Sequence, residues 1–261
     1  MPSHYAHYRF GAELLNSLPS DVRRTINRHR QLYDIGLHGP DIFLYFDPVR
    51  KTVTGDLSSK FHHQSGLDFF TRVCKRHRLE PSEPARAYLY GLLAHYALDT
   101  VCHPFINSHT QDSLIHHCQL ESEFDRYLLD LDGKRPPHTY DTSRHMRLTD
   151  GECAIAAAFF PGAKPTDVAT SVRNMAGAVR LMAINAPHLR TAAQKLLKSM
   201  GSYYHHLLVP AQPDPACFHL DAELENCYRM ALQLYPTLLR QIMAYLTCSV
   251  PLGSEFDKSF D

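Results

Sequence analysis

Residues 85–103 read ARAYLYGLLAHYALDTVCH, with Pro84 directly before them and Pro104 directly after. Proline belongs in the first turn of a helix or beyond its last residue, so the two prolines bracket a helical segment. From Ala87 to His103 the only formal charge is Asp99. No broad polar face is left for solvent, and a helix that is apolar all round is a buried one. Within it His95, Asp99 and His103 recur every fourth residue. Four residues advance about 40° around a helix, so the three line one narrow stripe. Unpaired ionisable groups are expensive to bury. Either a structural His–Asp ion pair or a metal ion, which takes neutral imidazole and carboxylate as ligands, meets that cost. The spacing alone weighs the two equally.

Working outward, helical periodicity dominates the chain. Residues 5–18 form a helix ending at Pro19, and Ser20 caps a second running through Leu32. Residues 36–56, rich in Gly and Pro, form a loop or broken helix. A helix covers roughly residues 64–77, and the long one of residues 85–102 stops near Pro104. After a polar loop comes residues 114–129. Residues 130–143 (DLDGKRPPHTYDTS) are loop by composition and the best candidate for a subdomain boundary. Beyond lie helices near residues 151–160, 165–185, 189–199 and 223–247, the last expected to kink at Pro236, with residues 209–218 as a connector. No strand alternation and no repeat is visible, so the fold class is all-α. A single helical bundle-like domain is expected over residues 1–261, with a metal-binding half at about 1–130 and a helical half at about 144–250.

Composition narrows the function. Lys plus Arg is 27 and Asp plus Glu is 27, so no net field steers a polyanion, and Trp is absent. Both argue against a stable nucleic-acid complex. The opening MPSHYAHYRF has no apolar signal core, and no span free of charge reaches membrane length. A cytoplasmic location is expected. Seven cysteines without framework spacing or any CxxC pair read as reduced thiols.

Histidine stands out, with 18 copies. Next to the stripe of the long helix, His117 and Glu121 form a second pair four residues apart. Upstream stand His7 in the first helix, Asp41 after the Gly39-Pro40 turn, and His62-His63 at the head of a helix. Imidazole and carboxylate without sulfur suit a catalytic zinc better than a structural one. His29 and the pair His205-His206 have no carboxylate at helical spacing and read as surface or packing residues. Phe43, Tyr45 and Phe46 beside Asp41 serve equally as pocket lining or as core.

This order of residues resembles the zinc-dependent phospholipase C family of helical three-zinc phosphoesterases, most closely its intracellular branch. The resemblance rests on MPS-x-YAHYRFG at residues 1–11, YDIGLHGPDI at 33–42 and AHYALD-x-x-CHP at 94–104, and covers roughly residues 1–128. It implies up to three zinc ions. His95 and His62 would hold one, and Asp99 would bridge it to a second bound by His7. Asp41 would stand beside the first as ligand or general base. His103, His117 and Glu121 would hold the third. His103 is preferred to His109 because it shares the helical stripe, and His62 is taken over His63 although nothing local separates them. Either the Pro2 amine, exposed on removal of Met1, or His4 would complete the site at His7.

The expected activity is hydrolysis of a phosphate ester, with a phospholipid headgroup bond as the first candidate substrate. Single-strand nuclease activity on the same fold and a non-enzymatic zinc-binding protein are the alternatives. A helical HD-type phosphohydrolase needs an adjacent His-Asp pair, and the sequence has none.

Overall fold

The structure is a computed structural model and describes residues 4–111, 113, 115–200 and 204–261. It is all-helical: among the described residues the one β-feature is an isolated bridge between Ser65 and Ser259. The chain runs α1 (His4–Leu14), α2 (Ser20–Arg28), α3 (Arg30–Gly36), α4 (Asp56–His62), α5 (Gly66–Leu79), α6 (Glu83–Thr110) and α7 (His117–Leu131). It continues through α8 (Asp150–Ala157), α9 (Pro165–Met182), α10 (Pro187–Met200) and α11 (Asp221–Cys248), with short 3-10 turns between. No helix among the described residues is long and apolar enough to cross a membrane.

The axis of the fold is α6. The Ser82 hydroxyl caps it by accepting from the Ala85 amide at 3.3 Å, and Pro84 lies in its first turn. Every residue from Ala87 to Thr100 is buried. Burying a large apolar side chain contributes roughly 1.5–3 kcal/mol, so Tyr88, Leu89, Leu92, Leu93 and Tyr96, all fully buried, anchor the helix on all sides. Its most extensive neighbours are α3 and α11. The α3 crossing is close because glycines meet: a Cβ on Gly91 would come within 2.2 Å of the Tyr33 carbonyl oxygen, and one on Gly36 within 2.6 Å of that of Tyr88.

Helix ends depart from expectation in several places. The first helix stops at Leu14, and the Ser17 hydroxyl donates to the Leu14 carbonyl at 3.0 Å in the turn that follows. Pro19, not Ser20, occupies the N-cap of α2, and the helix expected to reach Leu32 breaks at His29 (φ −123°, ψ 43°). The break re-aims the chain so that α3 can lie on α6. Residues 36–56 contain a 3-10 helix, Gly39–Tyr45, and end by entering α4. His62 therefore closes a helix instead of heading one, and the next begins at Gly66 with Ser65 as its cap. The long helix passes Pro104 and ends at Thr110. Proline inside a helix costs about 3 kcal/mol, but Ile106 in the core and the Thr110 hydroxyl on the Ile106 carbonyl (2.9 Å) hold the turns beyond it. Likewise α11 runs on through Pro236 with Tyr235, Leu238 and Leu239 buried on either side. All seven cysteines are free thiols, five of them buried.

Candidate metal centre

Three pieces of local structure aim the residues of interest. Asp125 on α7 caps the start of α1, its carboxylate accepting from the Tyr5 amide at 3.0 Å and the Ala6 amide at 2.8 Å. A carboxylate there satisfies first-turn donors and complements the helix dipole, and it ties the helix of His7 to the helix of His117 and Glu121. The second is Gly39, at φ +48°, a conformation that favours glycine. A Cβ at this position would lie 2.4 Å from the His95 ring, so only glycine lets the Asp41 turn press onto α6. The third is α4, whose last residue is His62.

These elements bring His7, Asp41, His62, His95, Asp99, His103, His117 and Glu121 together in three groups, all buried but the half-buried His117: Asp41, His62 and His95; His7, His95 and Asp99, which shares His95 with the first; and His103, His117 and Glu121. Within each group the candidate ligand atoms lie within 4.8 Å of one another. Asp99 is at the centre. Its Oδ2 faces His95 Nε2 at 2.9 Å and His62 Nε2 at 3.8 Å, whereas its Oδ1 faces His7 Nε2 at 3.3 Å and His103 Nε2 at 3.7 Å. Asp41 Oδ1 lies 3.1 Å from His62 Nε2, and Glu121 Oε1 lies 3.0 Å from His117 Nε2 and 3.9 Å from His103 Nε2. The His7 and His95 rings stack at 4.5 Å.

Behind the cluster, the Nδ1 of His62 donates to the Ser58 carbonyl at 2.7 Å and that of His95 to the Leu37 carbonyl at 3.1 Å. These partners settle the tautomer and turn each Nε2 lone pair inward, as in metal-ligating histidines. His62 Nε2, His95 Nε2, Asp99 Oδ2 and Glu121 Oε2 are nevertheless buried without a hydrogen bond. Buried polar atoms are rarely left so. A divalent cation satisfies all of them, and an all-nitrogen-and-oxygen donor set suits zinc at a reactive site. A cavity of about 20 Å³ lined by His7, Asp99, His103 and Glu121 lies inside the cluster. The residues fit metal ions. A surface cavity of about 460 Å³ between α5, α6 and α8 contains none of these eight residues.

Without metal, charge is unevenly shared. Burial opposes ionisation of Asp99, but His95, His103 and His7 hold its carboxyl well below the usual range. Burial opposes charge on His103 too, but Asp99, Asp261 and Glu121 lift it to about 9. His95 is pushed down by burial, despite Asp99 beside it.

The alternatives left open by sequence separate in space. His63, with its side chain 68% exposed, points away towards Asp261, and the Nδ1 of His109 donates to the Phe105 carbonyl, outside the cluster. His4 Nε2 bonds to the Tyr45 hydroxyl at 2.8 Å, and Pro2 lies outside the described residues. Phe43 is core, edge-on to Phe160 at 5.1 Å. His29 finds a carboxylate from another element, Glu83 Oε2 at 3.7 Å. The His206 ring packs 4.7 Å from His116, and the side chain of His205 lies outside the described residues.

Two features were not legible in the sequence. His38 and His145 face each other through Nε2 atoms 2.7 Å apart, beside His4. Asp261 stands 3.2 Å from His103 Nδ1. Neither has a spacing signal, because each pair joins distant segments. Residues 6–158, more than half of the chain, match the family profile described as zinc dependent phospholipase C. No match is found among curated proteins or among solved structures.

Proposed function

Since the chain belongs to the zinc-dependent phospholipase C family, we propose that it is a zinc-dependent phosphoric ester hydrolase that cleaves a phosphodiester, with a phospholipid headgroup or a small phosphate ester as substrate. The observation that carries this reading is the convergence of five imidazoles with Asp41, Asp99 and Glu121, the two oxygens of Asp99 facing separate sets of histidines.

Asp41, His62 and His95 would hold one zinc, His7 would hold a second, and Asp99 would serve both. His103, His117 and Glu121 would hold a third. Zinc in such a cluster polarises a phosphoryl oxygen and lowers the pKa of water towards about 7. Asp41, whose Oδ1 lies 3.1 Å from His62 Nε2, would accept the proton of the attacking water. The carbonyls of Ser58 and Leu37 keep His62 and His95 in the tautomer that faces the reaction. Of the eight residues His117 has the most exposed side chain, at 29%, so substrate approaches from the α7 side. The low accessibility of the rest excludes bulk water, which strengthens electrostatic contacts inside.

The test combines elemental analysis with turnover of a chromogenic phosphocholine diester, with and without chelator. Close to three zincs per chain and chelator-sensitive release of the leaving alcohol are expected. A zinc-loaded protein without turnover would be a binding protein, and turnover confined to single-stranded nucleic acid would make it a nuclease.

A further inference from the structure

The groups that face Nδ1 of His62, His95 and His103 differ in kind. His62 and His95 rely on backbone carbonyls, whereas His103 meets a side chain: Asp261 Oδ1, 3.2 Å from His103 Nδ1. His103 is fully buried, so no solvent competes for that nitrogen. Asp261 belongs to a segment far from the metal-binding half in sequence.

That segment is firmly seated. Phe256 and Phe260 are fully buried, Phe256 stacked on Tyr96 at 5.7 Å and Phe260 edge-on to it at 4.9 Å. Phe260 also lies 6.1 Å from the His62 ring and 5.9 Å from the His95 ring. The Phe260 amide donates to the His62 carbonyl at 3.0 Å, and the Gly66 amide to the Lys258 carbonyl at 2.8 Å. The Tyr96 hydroxyl reaches the carbonyls of Glu255 and Lys258 at 3.1 and 3.2 Å. Phe260 is held between α5 and α6, and the Asp261 side chain that follows it, 36% exposed, reaches His103 with Oδ1 and lies 3.5 Å from His63 Nε2 with Oδ2.

We propose that Asp261 is a positioning residue of the metal centre: its carboxylate accepts a hydrogen bond from the Nδ1–H of His103 and presents His103 Nε2 to the side where Asp99 and Glu121 stand. The proposal rests on the zinc-site reading above and adds to it a residue distant in sequence. Carboxylate partners of ligating histidines fix ring orientation and raise ligand basicity, and their loss typically costs about 10–100-fold in metal affinity.

The test uses D261A, D261N and D261E in the full chain. Chelator competition on the zinc-loaded proteins should show one zinc released about 10–100-fold more readily in D261A and D261N, the others held as before, and most of the loss restored in D261E. In zinc-free protein held alkaline enough to leave the His103 ring a single proton, ring-nitrogen NMR should find that proton at Nδ1 in the unaltered chain and shifted from it in D261A. Unchanged zinc release in D261A overturns the proposal. So does the release of all zincs together with a collapse of the melting temperature, which would mark a structural role only. An unaltered chain that binds no zinc sinks the proposed function instead, and the tautomer measurement, which needs no metal, then decides the role of Asp261.

Discussion

Asp99 and Asp221 show what burial does to a carboxylate with different company. Asp99 is surrounded by imidazoles and stays ionised. Asp221 shares Arg126 with Glu123, and burial, with Glu123 adding to it, pushes its carboxyl up to about 8. A carboxyl whose pKa is raised by folding stabilises the fold fully below its unfolded value, near 3.8. That contribution declines as pH rises towards about 8 and levels off above it. Asp221→Asn should therefore flatten the fall of stability between pH 4 and 8, gaining on the parent as pH rises; urea melts at pH 5 and pH 8 read this directly. For Asp41, replacement by Asn should lower turnover by about 10²–10⁴-fold with helicity intact. An unchanged rate would remove Asp41 from the chemistry. Of these residues, His95, Asp99, His117 and Glu121 were legible because a four-residue step on a helix is a local signal. Arg126 and Asp221 were not, since their pairing joins α7 to α11.

Among elements, the crossing of α3 on α6 decides whether the site can form, because α3 delivers the chain into the Gly39–Asp41 turn that presses on His95. Gly91→Ala places a methyl group against the Tyr33 carbonyl oxygen, a backbone atom that cannot swing aside. The cost should be about 3 kcal/mol, a fall of roughly 6–12 °C in melting temperature for a chain of this size. A variant that melts with the parent would show that the helices can slide apart freely. Element type was readable from periodicity for the longer helices, but the short α4 was not foreseen and ends were misplaced. Pro104 marks a helix end by local rules and here sits inside one, because Ile106 is worth burying. His29 carries no breaker signal, yet the helix breaks there to fit α3 against α6.

At the scale of the whole molecule, the hydrophobic core of the described residues includes side chains from Tyr5 to Phe260, and seven of the eight cluster residues are buried. If the buried acids and imidazoles are metal-bound, chelation should destabilise the entire fold. Each zinc at a hundredfold excess over its dissociation constant contributes about 2.7 kcal/mol, so calorimetry with and without chelator should show a fall in melting temperature that added zinc reverses. No change on chelation would separate metal from folding. The sequence by itself determined the helical class and the stripe of His95, Asp99 and His103, because both are written in residue spacing along a single helix. Tertiary structure alone decided that His62 and not His63 turns inward, that Asp99 divides its two oxygens between opposite sets of histidines, and that Asp261 stands behind His103. Those outcomes depend on where separate helices come to rest, and that is set by packing of the whole core, which no local pattern records.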